Sequence, residues 1–140
     1  MTKKSLNKLL QQLVHIDTPD REQFEHVLIS KFVETDENLD SVIYEFKLDH
    51  GLIERGELRL ENSGEWAILT LHASGDSSVV EDELDLEPWG EIEYLDVKPD
   101  LPPEGLISYS YKSNGVLVTF YFRGPSRRFS TVKLEWGETS

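Results

Sequence analysis

The spacing of hydrophobic residues changes once along this chain, from a helical period to a period of two, and this change constrains the fold most strongly. In residues 3–15, leucine and valine recur three and four positions apart, as on one face of an amphipathic helix. After a break, helical spacing resumes with Phe24 and continues to Phe32. The pattern therefore predicts two N-terminal helices, at about 3–15 and 19–34, with Thr18 as the N-cap of the second.

Beyond residue 40, hydrophobic and polar residues alternate, which is typical of strands with one buried face. Asn114-Gly115 separates two such runs and is a strong signal for a type I′ hairpin turn. Gly56 suggests a bulge, and the nearly continuous apolar run 66–71 predicts a central strand that is covered on both faces. The alternation predicts strands at about 41–48, 53–61, 65–73, 91–97, 106–112, 116–123 and 128–136.

Two helices followed by about six to seven strands predict an α+β fold, with the helices on one face of a mostly antiparallel, meandering sheet. Because 140 residues is an ordinary domain size and no linker or repeat interrupts the pattern, we expect residues 1–140 to form a single globular domain. The chain has no cysteine and no apolar run of the ~18 residues needed to span a bilayer. We therefore expect a soluble, cytoplasmic protein.

Charge is polarised along the chain, whose net value is −13. Residues 76–104, which we call the acidic segment, hold eleven acids and one lysine and so carry −10, whereas residues 105–140 carry +3. Nucleic-acid phosphates and anionic membranes repel such a chain, so the charge favours a basic protein partner and argues against both of them. Acidity that serves solubility alone is the alternative interpretation.

Trp89 is an unusual residue within the acidic segment, because acids and a proline flank it. Tryptophan is enriched at the hot spots of protein interfaces, where an apolar anchor sits inside a polar rim. Trp89 is therefore either an exposed anchor or a plug that closes the edge of the core. The residues that we expect to contact a partner are Glu81, Asp82, Glu83, Asp85, Glu87, Trp89, Glu91 and Glu93.

Motifs that would indicate catalysis or cofactor binding are missing from the sequence: it has no nucleophile elbow, P-loop or dinucleotide fingerprint. Glu22 and His26 are four residues apart on the second helix, but such pairs are common on solvated helices. The acidic segment lacks the ligand pattern of a calcium loop. We therefore expect no enzyme, no cofactor and no metal.

The basic cluster at residues 123–128 contains three arginines around a predicted turn. Such a turn could hold a phosphate or a carboxylate through charge-assisted hydrogen bonds. The alternative, which the charge polarity favours, is that the arginines pair with the acidic segment of the same molecule.

The sequence alone leaves three classes of function open. The first is a small acidic binding protein that neutralises or escorts a basic protein, for example an immunity protein against a nuclease-type toxin, whose cleft is basic because its substrate is phosphate. The second is a small-ligand-binding or enzymatic α+β domain. Its pocket would be lined by Tyr44, Trp66, Tyr109 and Tyr121. An assembly or adaptor subunit is a third class, and the charge pattern favours the first.

Overall fold

The computed structural model describes residues 3–16, 19–37, 40–48, 52–73, 86, 89–98, 106–123 and 127–137. Its helices are α1 (Lys3–Val14) and α2 (Arg21–Leu28). Its strands are β1 (Val33–Glu37), β2 (Ser41–Lys47), β3 (Ile53–Glu61), β4 (Ala67–Ala73), β5 (Tyr94–Lys98), β6 (Leu106–Ser113), β7 (Val116–Arg123) and β8 (Arg128–Trp136). In the part of the chain that the structure describes, neither helix has the length and apolar character needed to cross a bilayer.

The eight strands form one antiparallel sheet in the order β1-β2-β3-β4-β8-β7-β6-β5. Two four-strand meanders, β1 to β4 and β5 to β8, join where β4 pairs with β8. The next described strand after β4, which lies in the middle of the sheet, is β5 at its margin. Much of the acidic segment falls between these two strands in the sequence, in a stretch that we call the long connection. The predicted α+β fold, with N-terminal helices and an antiparallel sheet, is confirmed, and the described residues form eight strands where about six to seven were predicted.

The core lies between the helices and one face of the sheet, which we call the helix-side face. Register aligns the buried side chains of neighbouring strands on this face: Leu69 lies opposite Leu134, which lies opposite Val118. Phe24 of α2 packs edge-to-face on Trp136 of β8, with ring centroids 5.0 Å apart. The side chains that α1 buries here are Leu6, Leu10, Leu13 and Val14. The apolar side chains that alternate along the strands therefore pack in one layer with those on the buried face of each helix.

Two side-chain hydrogen bonds fix the C-terminal end of α1 to the sheet. The indole N–H of Trp136 donates to the Ile16 carbonyl at 3.0 Å, and the Asn114 amide donates to the Val14 carbonyl at 2.9 Å. Asn114 and Gly115 both have positive φ, at 52° and 80°, as a type I′ turn requires. The predicted hairpin is therefore confirmed, and its turn also satisfies one carbonyl, that of Val14, at the end of α1.

The second helix is shorter than predicted at both ends. Its N-cap is Asp20, whose carboxylate accepts a hydrogen bond from the Gln23 backbone N–H at 2.9 Å, whereas the predicted cap, Thr18, lies outside the described residues. The helix ends at Leu28 because Ile29 adopts the left-handed conformation, with φ 51° and ψ 49°.

Residues 33 and 34, which we expected in this helix, belong to β1, a strand that the sequence did not predict. Phe32 fits the helical spacing of the sequence, but it lies beyond the end of α2. Its backbone N–H donates to the Glu25 carboxylate at 2.8 Å, and its ring stacks on Phe46 with centroids 4.1 Å apart. All five residues of β1 are exposed, so this edge strand has no alternation to reveal it.

Gly56 allows close packing and does not mark the predicted bulge. It pairs in register with Phe46 and Leu71, and the register shift of β3 lies between Ile53 and Arg55. A Cβ atom on Gly56 would lie 2.7 Å from Cε2 of Phe46, so only glycine leaves room for this ring. The stack of Phe32 on Phe46 therefore depends on a glycine at the paired position of the neighbouring strand β3.

Candidate functional site

The structure describes part of the predicted partner-binding set. Five members lie outside the described residues, and their expected role stays a prediction: Glu81, Asp82, Glu83, Asp85 and Glu87. The described members are Trp89, Glu91 and Glu93. They lie on the stretch that leads from the long connection into the outermost strand. We call residues 89–98 the β5 edge.

Trp89 is buried, with 5% of its side chain exposed. Its ring packs edge-to-face on Phe120 of β7 at a centroid distance of 5.8 Å. Its indole N–H donates to Oδ1 of Asn7 on α1 at 3.0 Å, and its backbone N–H donates to the Leu86 carbonyl at 3.0 Å. The Trp89 side chain therefore closes the edge of the core and is not an exposed anchor. Trp89 instead fixes the place where the chain enters the β5 edge.

Exposed residues follow immediately. Gly90 takes a positive φ of 81°, and Glu91, Ile92 and Glu93 are all exposed, Ile92 by 47%. Leu95 is 60% exposed. The β5 edge therefore presents two large apolar side chains beside two carboxylates. Sequence reasoning missed this apolar pair, because Ile92 and Leu95 fall in a predicted strand and only the strand order places that strand outermost.

Hydrogen bonding to β6 holds the β5 edge in place. The Glu93 backbone N–H donates to the Ser110 carbonyl at 2.7 Å, and pairing then runs without a shift from Tyr94 opposite Ser110 to Lys98 opposite Leu106. Leu95 lies opposite Tyr109 in this register. The exposed residues are thus carried by a paired strand and not by a free loop.

The same hydrophobic exposure recurs at the other margin of the sheet. Among the described residues, the exposed large hydrophobic side chains are Ile29, Val33, Ile92 and Leu95. Ile29 is the C-cap of α2, Val33 begins β1, and the last two lie at the β5 edge. Three of these four residues therefore lie at the edges of the sheet, which the sequence pattern does not reveal.

The arginine cluster lies close to the β5 edge. Arg127, with φ 58°, places Nη1 3.4 Å from the hydroxyl of Tyr109, the residue of β6 that pairs with Leu95. Arg123 and Arg128 face each other across the β7–β8 pair. Residues 124–126 lie outside the described part of the chain. Both interpretations of the cluster, phosphate binding and internal pairing with acids, stay predictions.

The four aromatic residues proposed for a pocket do not converge. Tyr109 shares the helix-side face with its register partner Phe120, whereas Tyr121 points to the opposite face with its register partner Ser108. Tyr44 lies on β2, and five strand spacings, or about 24 Å, separate β2 from β6. Trp66 precedes β4 in the middle of the sheet. Their rings therefore do not line one cavity.

The face opposite the helices is partly exposed along β4. Ala67, Leu69 and Leu71 are buried, while Ile68 and Thr70 between them are half-buried. The prediction that this strand is central is confirmed, whereas the prediction that it is covered on both faces is wrong. Alternating burial is typical of an antiparallel sheet with one solvated face.

Lys133 lies on this solvated face with two partners. Its Nζ is 3.0 Å from Oε1 of Glu135 and 5.7 Å from the ring centre of Tyr121. Burial alone would lower the pKa of Lys133, but hydrogen bonds to Glu135 and Tyr121 outweigh burial and raise the pKa above its usual value. A lysine that stays protonated does not serve as a nucleophile or a base at neutral pH.

His72 of β4 lies on the same solvated face of the sheet, and its pKa is shifted in the opposite direction, below its usual value. Burial is the main cause that lowers the pKa of His72, the positive charge of Arg55 lowers it further, and Glu57 and Glu54 oppose both effects. The imidazole is therefore neutral near pH 7. The ionisable groups that act on it are an arginine and two carboxylates, which is not the arrangement of a nucleophile activated by a base.

Two cavities have volumes at the lower end of the range for ligand sites, which usually enclose about 300–1,000 Å³. One, of about 320 Å³, lies beside Ile16, and its polar side chains Asn114 and Trp136 already donate to carbonyls at the end of α1. The other, of about 300 Å³, has Glu22 and His26 on its wall. In the described ranges, no group of three or more His, Asp or Glu side chains is placed to hold a metal ion.

Comparison of the chain with known protein families, curated proteins and solved structures finds no match. The function must therefore be argued from the site itself. The β5 edge, the margin that combines exposed apolar side chains with the acidic segment, is the strongest candidate.

Proposed function

We propose that this chain is a small acidic binding protein that neutralises or escorts a basic protein partner. The observation that carries the proposal is the exposure of Ile92 and Leu95, at 47% and 60%, beside the exposed carboxylates of Glu91 and Glu93. Apolar anchors within a polar rim are the usual anatomy of a protein interface. The β5 edge and the acidic segment together form the proposed docking surface.

The fixed backbone of the β5 edge supports this proposal. Trp89 is buried against Phe120 and hydrogen-bonded to Asn7, and Glu93 is bonded to Ser110. A surface that is already ordered loses less conformational entropy on binding than a loop that must order. The exposed side chains are therefore presented at low entropic cost.

The charge of the acidic segment determines the class of partner that we propose. A local charge of −10 accelerates the encounter with a positive surface and opposes contact with nucleic acid or an anionic membrane. Nuclease-type toxins have basic clefts because they bind phosphate. We therefore favour an immunity protein against such a toxin, in which carboxylates occupy the cleft in place of phosphates.

We also propose that the chain is non-catalytic and acts in the cytoplasm. The absence of cysteine from the sequence fits a reducing compartment. The raised pKa of Lys133 and the separated aromatic residues give no support to the alternative of a ligand-binding or enzymatic domain. An adaptor or assembly subunit would use the same edge for a different partner.

The proposal is tested by using the wild type and two charge variants as bait to capture proteins from an extract of the native host. The segment variant replaces four acids by serine or asparagine: Glu81, Asp82, Glu83 and Asp85. A control variant makes the same change in charge away from the β5 edge, at four exposed acids: Glu34, Glu37, Glu45 and Glu54. We expect the wild type and the control variant to capture one basic protein, and the segment variant to lose most of it.

Capture that falls equally in both variants would show that total charge, and not the acidic segment, attracts the partner. Capture of no basic protein by the wild type would contradict the proposed function. Thermal melting of all three proteins confirms that each is folded before the comparison is made.

A further inference from the structure

The backbone of β5 has a free side in the described structure. The strand is the last of the sheet order, and β6 is its neighbour on the inner side. An edge strand directs a row of N–H and C=O groups away from the sheet, and these groups can pair with a strand from another chain. Peptide recognition by strand addition uses this row for affinity and alternate side chains for specificity.

The other edge strand, β1, is blunted by its own residues. Its register shifts between Glu34 and Asp36, which places an irregularity in the strand. The Asp36 carboxylate accepts a hydrogen bond from the Glu37 backbone N–H at 2.9 Å, and the Thr35 hydroxyl donates to the Ile43 carbonyl at 3.3 Å. Irregular pairing and edge charges are the usual protection against strand addition.

The β5 strand has no irregularity of pairing within its described residues. Its register with β6 is continuous over five residues, from Tyr94 to Lys98. Its exposed side chain at Leu95 is apolar, with 60% exposed, whereas β1 carries three exposed acids in five residues. The two edges of one sheet therefore differ in regularity of pairing, which strand addition requires, although the sequence of β5 also includes the charged residues Asp96 and Lys98.

Charge along the β5 edge indicates what an added strand would carry. Glu91 and Glu93 are two residues apart and exposed at its start, Asp96 follows in the sequence, and Lys98 ends it. These two acids precede the paired strand, which begins at Tyr94. In an added strand, residues two apart point to the same face, so basic residues at alternate positions can face the acidic start of the edge together. They would pair with the acidic start of the edge.

We propose that the partner docks by strand addition: an extended segment of the basic partner, with lysine or arginine at alternate positions, pairs with the outer side of β5. This inference rests on the proposed function and specifies how the partner is held. Main-chain pairing along β5 provides the fixed register, Leu95 provides apolar contact, and Glu91 and Glu93 provide the charge complement.

Defined peptides test this inference on the whole chain without prior identification of the partner. The probe is a fluorescent peptide of alternating lysine and threonine, and its affinity is measured by anisotropy. A second peptide has the same charge but proline in place of some threonines, so it cannot form a continuous strand. We expect the first peptide to bind about tenfold more tightly than the second.

A matched pair of variants locates the binding. Leu95→Lys and Val33→Lys each add one positive charge at an exposed apolar position of an edge strand, one on β5 and one on β1. We expect Leu95→Lys to weaken binding of the alternating peptide about tenfold and Val33→Lys to change it less than twofold. Hydrogen exchange of the wild type with the peptide provides a test that needs no variant, since strand addition protects amides of β5 and leaves those of β1 unchanged.

Equal binding of both peptides, or binding that leaves the β5 amides unprotected, would overturn strand addition. A basic protein captured from the host without protection of β5 would also overturn it, while the proposed function would stand. Conversely, failure of host capture contradicts the proposed function, and the peptide experiment still decides whether β5 accepts a strand.

Discussion

A single residue, Trp89, fixes the start of the β5 edge in the folded domain. Trp89 stands among acids in the sequence, yet its ring is buried on Phe120 and its N–H is bonded to Asn7. Burial of a tryptophan removes a large apolar surface from water, and its polar N–H needs a partner there. Its place beside exposed Glu91 therefore marks a sharp boundary between core and candidate surface.

Gly56 permits a test of close packing within the sheet. Gly56→Ala should destabilise the protein by about 1–3 kcal/mol, because the added methyl group overlaps the Phe46 ring and disturbs its stack on Phe32. Urea unfolding measures this change. In a Phe46→Leu background the alanine should cost less, since the ring that it meets is gone. An equal cost in both backgrounds would contradict the explanation.

The pKa of His72 predicts a pH dependence of stability. Because burial and Arg55 lower this pKa below 6.5 in the folded state, the unfolded chain binds more protons than the folded chain as the pH falls below that value. The contribution of His72 to stability is therefore full above about pH 6.5 and declines on acidification. Unfolding free energies at pH 7.5 and 5.5 should differ less in His72→Gln than in the wild type. An identical difference in both proteins would exclude His72 as the cause.

At the level of the elements, sequence pattern located most strands to within a few residues. Alternation works where one side of a strand faces the core, as in β7, whose buried Val116, Val118 and Phe120 are two apart. It failed for β1, because an edge strand exposed on both faces has no pattern. The helical spacing in turn predicted too long an α2, because Phe32 continues this spacing beyond Ile29, where the left-handed backbone ends the helix.

The end of α2 carries a correctable strain. Ile29 is β-branched, has φ 51° and is 90% exposed, so it occupies a position that favours glycine or asparagine and contributes little to the core. Ile29→Asn should stabilise the protein by about 1 kcal/mol, measured by chemical denaturation. Ile29→Val keeps the branched side chain and should leave stability nearly unchanged. Destabilisation by the asparagine would indicate that Ile29 has a packing role.

For the whole molecule, strand order creates the candidate site, and the sequence could not predict strand order. The count of charges located the acidic segment, and the alternation located the strand that contains Leu95. Only the order that places β4 in the centre and β5 outermost exposes Leu95 and Ile92 near Glu91 and Glu93 at an edge of the sheet. A meander in simple chain order would have placed β5 beside β4, with both of its edges paired.

The central claim is that the acidic segment and the β5 edge receive a basic partner. Stopped-flow association of the captured partner, between about 0.05 and 0.3 M salt, tests it most directly. We predict an association rate for the wild type and the control variant that falls steeply with salt. The segment variant should associate about tenfold more slowly at low salt, with a flatter dependence. Equal rates and equal salt dependence for the segment variant and the wild type would contradict the claim.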